Sequence, residues 1–103
     1  KMELRMKLTV PVKFGEEEIT ELNFKRPSGR QIREVGFPFS LDIDGSMSMK
    51  SNICMKYVSL CASIPMSVVE KMDPVDLMTA SGEVCSFFGT REQDPSSTAQ
   101  SIN

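Results

Sequence analysis

The stretch that decides the fold runs Ile53-Cys54-Met55-Lys56-Tyr57-Val58-Ser59-Leu60-Cys61-Ala62-Ser63-Ile64-Pro65 and continues Met66-Ser67-Val68-Val69-Glu70-Lys71-Met72-Asp73-Pro74-Val75-Asp76-Leu77. Ile53, Tyr57, Leu60 and Ile64 recur at spacings of four, three and four, with Cys54, Val58 and Cys61 alongside. That is the apolar stripe of an amphipathic helix, predicted from about Met49 to Ile64 and ended by Pro65. Ser67 with Glu70 has the spacing of a capping box and predicts a helix of little more than one turn, Val68 to Met72. Asp73-Pro74-Val75-Asp76 is a further start signal, with an Asp cap, Pro at the first helical position and an acid in the first turn. The helix it opens places Met78, Ser81, Val84, Cys85 and Phe88 on one face and closes at Gly89.

Upstream the period changes. Leu8, Val10, Val12 and Phe14 alternate with Thr9, Pro11 and Lys13, the pattern of a strand with one buried face. Pro11 cannot donate to a ladder, which predicts an edge strand or one paired on a single side. Gly15-Glu16-Glu17-Glu18 reads as a polar turn, and Thr20, Leu22 and Phe24 form a second strand, completing a hairpin. A lone hairpin is marginal in water, so it must lean on the helices or on another subunit. Ser28-Gly29-Arg30-Gln31 repeats the capping-box spacing and predicts a short helix from Gly29 to Val35, stopping at Gly36. Phe37-Pro38-Phe39 and Asp42-Ile43-Asp44-Gly45 follow as a loop rich in turn residues. The fold class predicted is α+β, an N-terminal β-hairpin packed on three to four short helices. One domain is expected over residues 1–89 and a disordered tail over 90–103, where apolar content nearly vanishes.

Composition excludes more than it selects. The chain has 103 residues, no histidine and no tryptophan, and a net charge of -2. Without histidine the commonest general base, metal ligand and pH switch are missing together. The near balance of charge lacks the basic excess of a nucleic-acid binder, so no nucleic acid is expected as a partner. No apolar run approaches the roughly 20 residues of a membrane helix, and the first residues alternate charge with apolarity, which predicts neither membrane partner nor signal peptide. Cys54 and Cys61 lie about 10 Å apart by helical rise, too far for a bridge, and an odd set with Cys85 fits neither a disulfide framework nor a zinc site. All three read as reduced, half-buried apolar residues.

Few side chains carry a chemical reading. Leu41-Asp42-Ile43-Asp44-Gly45-Ser46 resembles the first motif of haloacid-dehalogenase-type phosphotransferases and the start of a calcium loop. The first needs a parallel α/β sheet, and the second needs acidic ligands that residues 46–53 do not supply, so a polar turn is the better reading. Ser59, Ser63 and Ser81 have no base to activate them. No catalytic residue, metal ligand or cofactor site is predicted.

Partner contacts are the remaining candidates. Arg26, Arg30 and Arg33, with Lys25, form a basic cluster that is either a solvated face or a dock for an acidic partner. Glu16, Glu17, Glu18 and Glu21 on the hairpin could complement it in a neighbouring subunit. Phe37 and Phe39 are either core plugs or an exposed apolar contact. Met47, Met49, Met55, Met66, Met72 and Met78 are mostly core filler or else an adaptable groove. The candidate partner-binding residues are Arg26, Arg30, Arg33, Phe37, Phe39, Met47 and Met49.

The order of these pieces has a family resemblance. Leu8-Thr9-Val10-Pro11-Val12, a Gly-containing turn, Ile19-Thr20-Glu21-Leu22-Asn23-Phe24, Arg26-Pro27-Ser28-Gly29-Arg30-Gln31-Ile32, then Ile64-Pro65, Val68, Met72, Asp76 and a last helix closing in Phe88-Gly89, resembles the tail assembly chaperones of long-tailed bacteriophages and prophages, the Mu-like and P2-like tail assembly protein family. The chain departs in the length of the loop from Phe37 to Ser48 and in Ser63, where the family usually has Gly. The resemblance implies a non-enzymatic factor in the host bacterial cytoplasm. It implies binding of the tape-measure protein to keep it soluble during tail tube assembly, self-association into a homo-oligomer, and a frameshifted longer form that extends beyond Gly89. The alternatives are a structural tail component of the virion and a small nucleic-acid-binding regulator.

Overall fold

The structure, a computed structural model, describes residues 3–89. The expected tail over 90–103 lies outside them. The order is β1 (Glu3–Phe14), β2 (Glu17–Lys25), α1 (Gly29–Val35), β3 (Phe39–Leu41), β4 (Met47–Met49), α2 (Ser51–Ala62), α3 (Met66–Val69) and α4 (Pro74–Ser86). The α+β architecture matches the expectation.

Strands β1 and β2 pair antiparallel from Glu3↔Lys25 to Phe14↔Glu17, around a tight turn at Gly15 and Glu16. Gly15 takes φ 67°, the positive value such a turn favours and a side chain resists. Glu17 and Glu18, expected in the turn, belong to β2. The strands' inner face gives Met6, Val12, Leu22 and Phe24 to the core. Opposite them lie Tyr57 and Val58 of α2, Val68 and Val69 of α3, and Ala80 and Val84 of α4.

The alternation expected from Leu8 to Phe14 holds only at Val12. Leu8 is half-buried, and Val10 and Phe14 are exposed. The reason is a bulge: the register shifts between Lys7 and Val12, so several residues of β1 face a single gap in β2. Pro11, which has no N–H to leave unpaired, sits inside it. The amides freed at Thr9 and Val10 are taken by Asp76 from α4. Its carboxylate accepts from Thr9 N at 3.1 and 3.0 Å, from Val10 N at 3.0 Å and from Thr9 Oγ1 at 2.9 Å. Burial pushes the Asp76 carboxyl up, and these hydrogen bonds outweigh it, holding the group below its ordinary value.

Helix α1 forms as predicted. Gln31 N donates to Ser28 Oγ at 3.2 Å while Ser28 N donates to Gln31 Oε1 at 2.9 Å. Helix α2 begins two residues later than expected, because Met49 is claimed by β4, and ends at Ser63, a left-handed C-cap at φ 58°. Its buried centre lies on Cys54, Tyr57, Val58 and Cys61, with Ile53 and Leu60 at its margins. The capping box expected at Ser67 does not form. The Pro65 carbonyl accepts from Val68 N and Val69 N, so α3 opens at Met66 with Ser67 inside its first turn. Helix α4 starts at the predicted place, with Val75 N donating to Asp73 Oδ2 at 3.0 Å, and ends at Ser86 with Phe87 as its cap. Its buried face is Asp76, Ala80, Ser81 and Val84. Met78, expected on that face, is exposed, and Cys85 and Phe88 are half-buried.

The segment read as a loop after Phe37 contains a second small hairpin, with Phe39↔Met49, Ser40↔Ser48 and Leu41↔Met47 paired. Each strand has three residues, too short for a period-2 signal to stand out.

Candidate functional site

The methionines, expected to be mostly filler, divide. Met72 is buried, and Met55 and Met66 are half-buried. Met47, Met49 and Met78 are exposed. Met49 and Met78 meet at a groove of about 300 Å³ between α2 and α4. One wall is Met49, Ser51, Cys54 and Met55, and the other is Pro74, Leu77, Met78 and Ser81. On each helix these positions recur at spacings of three and four, so they share one face. No lining residue is charged, in a chain of which 25% is charged. Such a groove rejects an ionic segment through desolvation and accepts an apolar one. Flexible, polarizable methionine at its mouth lets it adjust to varied shapes.

Met49 at the groove pairs across the small hairpin with Phe39, a member of an aromatic cluster. Phe37 lies 6.1 Å from Phe39 and 5.9 Å from Phe88, centroid to centroid, and Phe88 packs edge-on against Tyr57 at 5.3 Å. The cluster is anchored where the Tyr57 hydroxyl donates to the Gly36 carbonyl at 2.6 Å. Phe39 is half-buried, whereas Phe37 is 55% exposed. Phe39 packs on Phe37 and Phe88 rather than in the core cluster, and Phe37 faces solvent. Leu41, Ile43 and Met47 project from the small hairpin and are also exposed.

Arg26, Arg30 and Arg33 are all exposed. Helix α1 starts at Gly29, so Arg26 lies before it in the link from β2, and the helical spacing of the three is only partly realised. Among the described residues the ion pair within 4 Å is Arg5 with Glu21, at 3.3 Å.

The Asp42–Ser46 segment is a turn. Ser46 Oγ donates to Asp44 at 2.7 Å and to Asp42 at 3.2 Å, and Ser48 Oγ donates to Asp42 at 2.8 Å. The Ser46 hydroxyl and amide hold the Asp44 carboxyl below its ordinary value. Local hydroxyls occupy these carboxylates, and Ser46 N donating to Asp44 Oδ1 at 3.0 Å makes an Asx turn. Cys54 and Cys61 are fully buried, more than expected, and Cys85 is half-buried. Burial, reinforced by the neighbouring Cys85 thiol, pushes Cys54 up to about 11, and burial pushes Cys61 up to about 11. Neither is a poised nucleophile at neutral pH. Among the described residues no helix is long and apolar enough to cross a membrane.

Sequence reasoning missed two features. It did not join Met55, Leu77, Met78 and Ser81 to Met49, since the groove exists only where two helices pack. It read Asp76 as a helix-start residue, and nothing local tells that its carboxylate reaches the β1 bulge.

No curated protein and no solved structure gave a match. A family model described as phage tail assembly chaperone proteins, E, or 41 or 14, matches residues 5–89. That span runs from the first strand through α4 and includes the hairpin, the groove and the aromatic cluster, so the chain belongs to the phage tail assembly chaperone family.

Proposed function

We propose that this tail assembly chaperone binds the tape-measure protein and keeps it soluble while the tail tube assembles, taking an apolar helical segment of it into the groove between α2 and α4. The observation that carries this is the groove itself: uncharged, lined by Met49, Met55 and Met78, and open at the surface. An amphipathic helix laid in an apolar groove is a recurring mode of recognition, and methionine suits a reader of varied sequences. Met47 extends the apolar rim, and Phe39, paired with Met49, continues it. The action is binding without catalysis, in the host bacterial cytoplasm, by several copies along a long partner. A longer frameshifted form would carry the same groove.

Co-expression with the tape-measure protein tests the reading. The expected result is that the long protein becomes soluble only with this chain and that the two co-purify. Insolubility in both cases, with this chain recovered from purified virions, would replace the reading with that of a structural tail component.

A further inference from the structure

The two ends of the β1–β2 hairpin carry the same pair of features with opposite charge. At the tip, Phe14 is 48% exposed and is followed by Glu16, Glu17 and Glu18, all exposed. At the open end, Arg26, Arg30 and Arg33 are exposed, and Phe37 follows α1 directly. Local charges temper both ends without cancelling them. Lys13 stands opposite Glu18 in the register, Lys71 Nζ donates to the Lys13 carbonyl at 3.2 Å, and Glu34 lies among the arginines. Strand β2 spans nine residues between the two ends, roughly 26 Å at the usual rise, so a paired ribbon keeps one copy's tip from its own α1.

We propose that the hairpin tip of one copy, Phe14 with Glu16 to Glu18, docks on Arg26, Arg30, Arg33 and Phe37 of a second copy. Exposed ion pairs orient and accelerate an encounter more than they hold it. The contact of Phe14 with the Phe37 cluster supplies the part of the affinity that salt leaves intact, and the charges set the register and add a part that salt screens. The partner is a second copy because this chain itself carries both complementary halves, each an aromatic beside three like charges. The contact deepens the reading that several copies act together and is independent of what fills the groove.

Sedimentation velocity of the full chain at about 50 mM and about 500 mM salt, between which the screening length falls about threefold, reads the contact. The wild-type chain is expected to assemble at low salt and to associate at least about tenfold more weakly at high salt, as charge-steered contacts do. Glu16→Lys/Glu17→Lys and Arg26→Glu/Arg30→Glu are each expected to be monomeric, and an equimolar mixture of the two is expected to assemble again. Thermal melting confirms that each variant is folded. Phe14→Ser is expected to weaken assembly at both salt concentrations. A monomeric wild-type chain at low salt, a mixture that stays monomeric, or assembly untouched by Phe14→Ser would each overturn the contact. Co-purification with the tape-measure protein in those cases would leave the functional reading standing.

Discussion

Replacing the two methionines at the mouth of the groove, Met49→Gln/Met78→Gln, separates binding from folding. Met78 is 67% exposed and Met49 is 50% exposed, so each has about half or more of its surface available to a partner. Burying a whole methionine is worth about 1.5 to 3 kcal/mol, which makes the available part worth about 1 to 2 kcal/mol at Met78 and about 1 kcal/mol at Met49. The two line one groove and are coupled, so their sum, about 2 to 3 kcal/mol, is an upper figure. It corresponds to a loss of roughly 30- to 150-fold in affinity. Glutamine keeps the length and flexibility of methionine, is well tolerated in the helix at Met78 and replaces an exposed strand residue at Met49, so the free protein is expected to melt within a few degrees of wild type. The assay is titration of a labelled apolar tape-measure segment, read by fluorescence anisotropy, beside thermal melts of both proteins. A folded double variant that binds within about threefold of wild type, a difference under about 1 kcal/mol, would refute the assignment of the groove.

Three further outcomes follow from the packing. Asp76 has a folded-state pKa below its unfolded value, so the stability it contributes is present above about pH 4 and is lost as pH falls through the folded value. Urea unfolding across pH should therefore show Asp76→Asn less stable than wild type at neutral pH, with the gap closing in acid; parallel curves would count against the Asp76 lock. Tyr57→Phe leaves the Gly36 carbonyl without its partner and should cost about 1 to 2 kcal/mol, lowering Tm by roughly 5 to 10 °C. Ser63→Gly relieves a left-handed residue at φ 58° and should stabilise the chain by about 0.5 to 1 kcal/mol in denaturant titration, after the glycine's extra unfolded-state entropy is offset.

The left-handed C-cap gives physical content to a departure visible in the sequence. The resemblance read from the sequence implies Gly where this chain has Ser63, and the backbone there takes the conformation glycine adopts without strain. Ser59 Oγ donating to the Ile64 carbonyl at 2.6 Å helps hold the turn despite the cost.

What the sequence determined by itself was local. The Ser28–Gln31 capping box, the Asp73-Pro74 start and the stop before Pro65 rest on interactions within a few residues of one another, and the inward pair Leu22 and Phe24 is marked by the strand's own alternation. Propensity, capping and periodicity therefore report them faithfully, and with their order they were enough for the α+β class and the family resemblance. Met47 and Met49 could be singled out as partner contacts by type alone. What the tertiary structure decided was every feature made by residues distant in the chain. The β1 bulge turns Val10 outward and hands its amide to Asp76, 66 positions later. The small hairpin of Phe39–Leu41 and Met47–Met49 is too short to announce itself and is held where Lys50 N meets the Pro38 carbonyl and where Phe39 packs on Phe88. The groove arises only because α2 and α4 pack with Cys54 and Ser81 between them and leave Met55 and Met78 at the rim. A helix's own pattern tells which face is apolar. How much of that face a neighbour covers depends on packing, and the part left uncovered here is where a partner can bind.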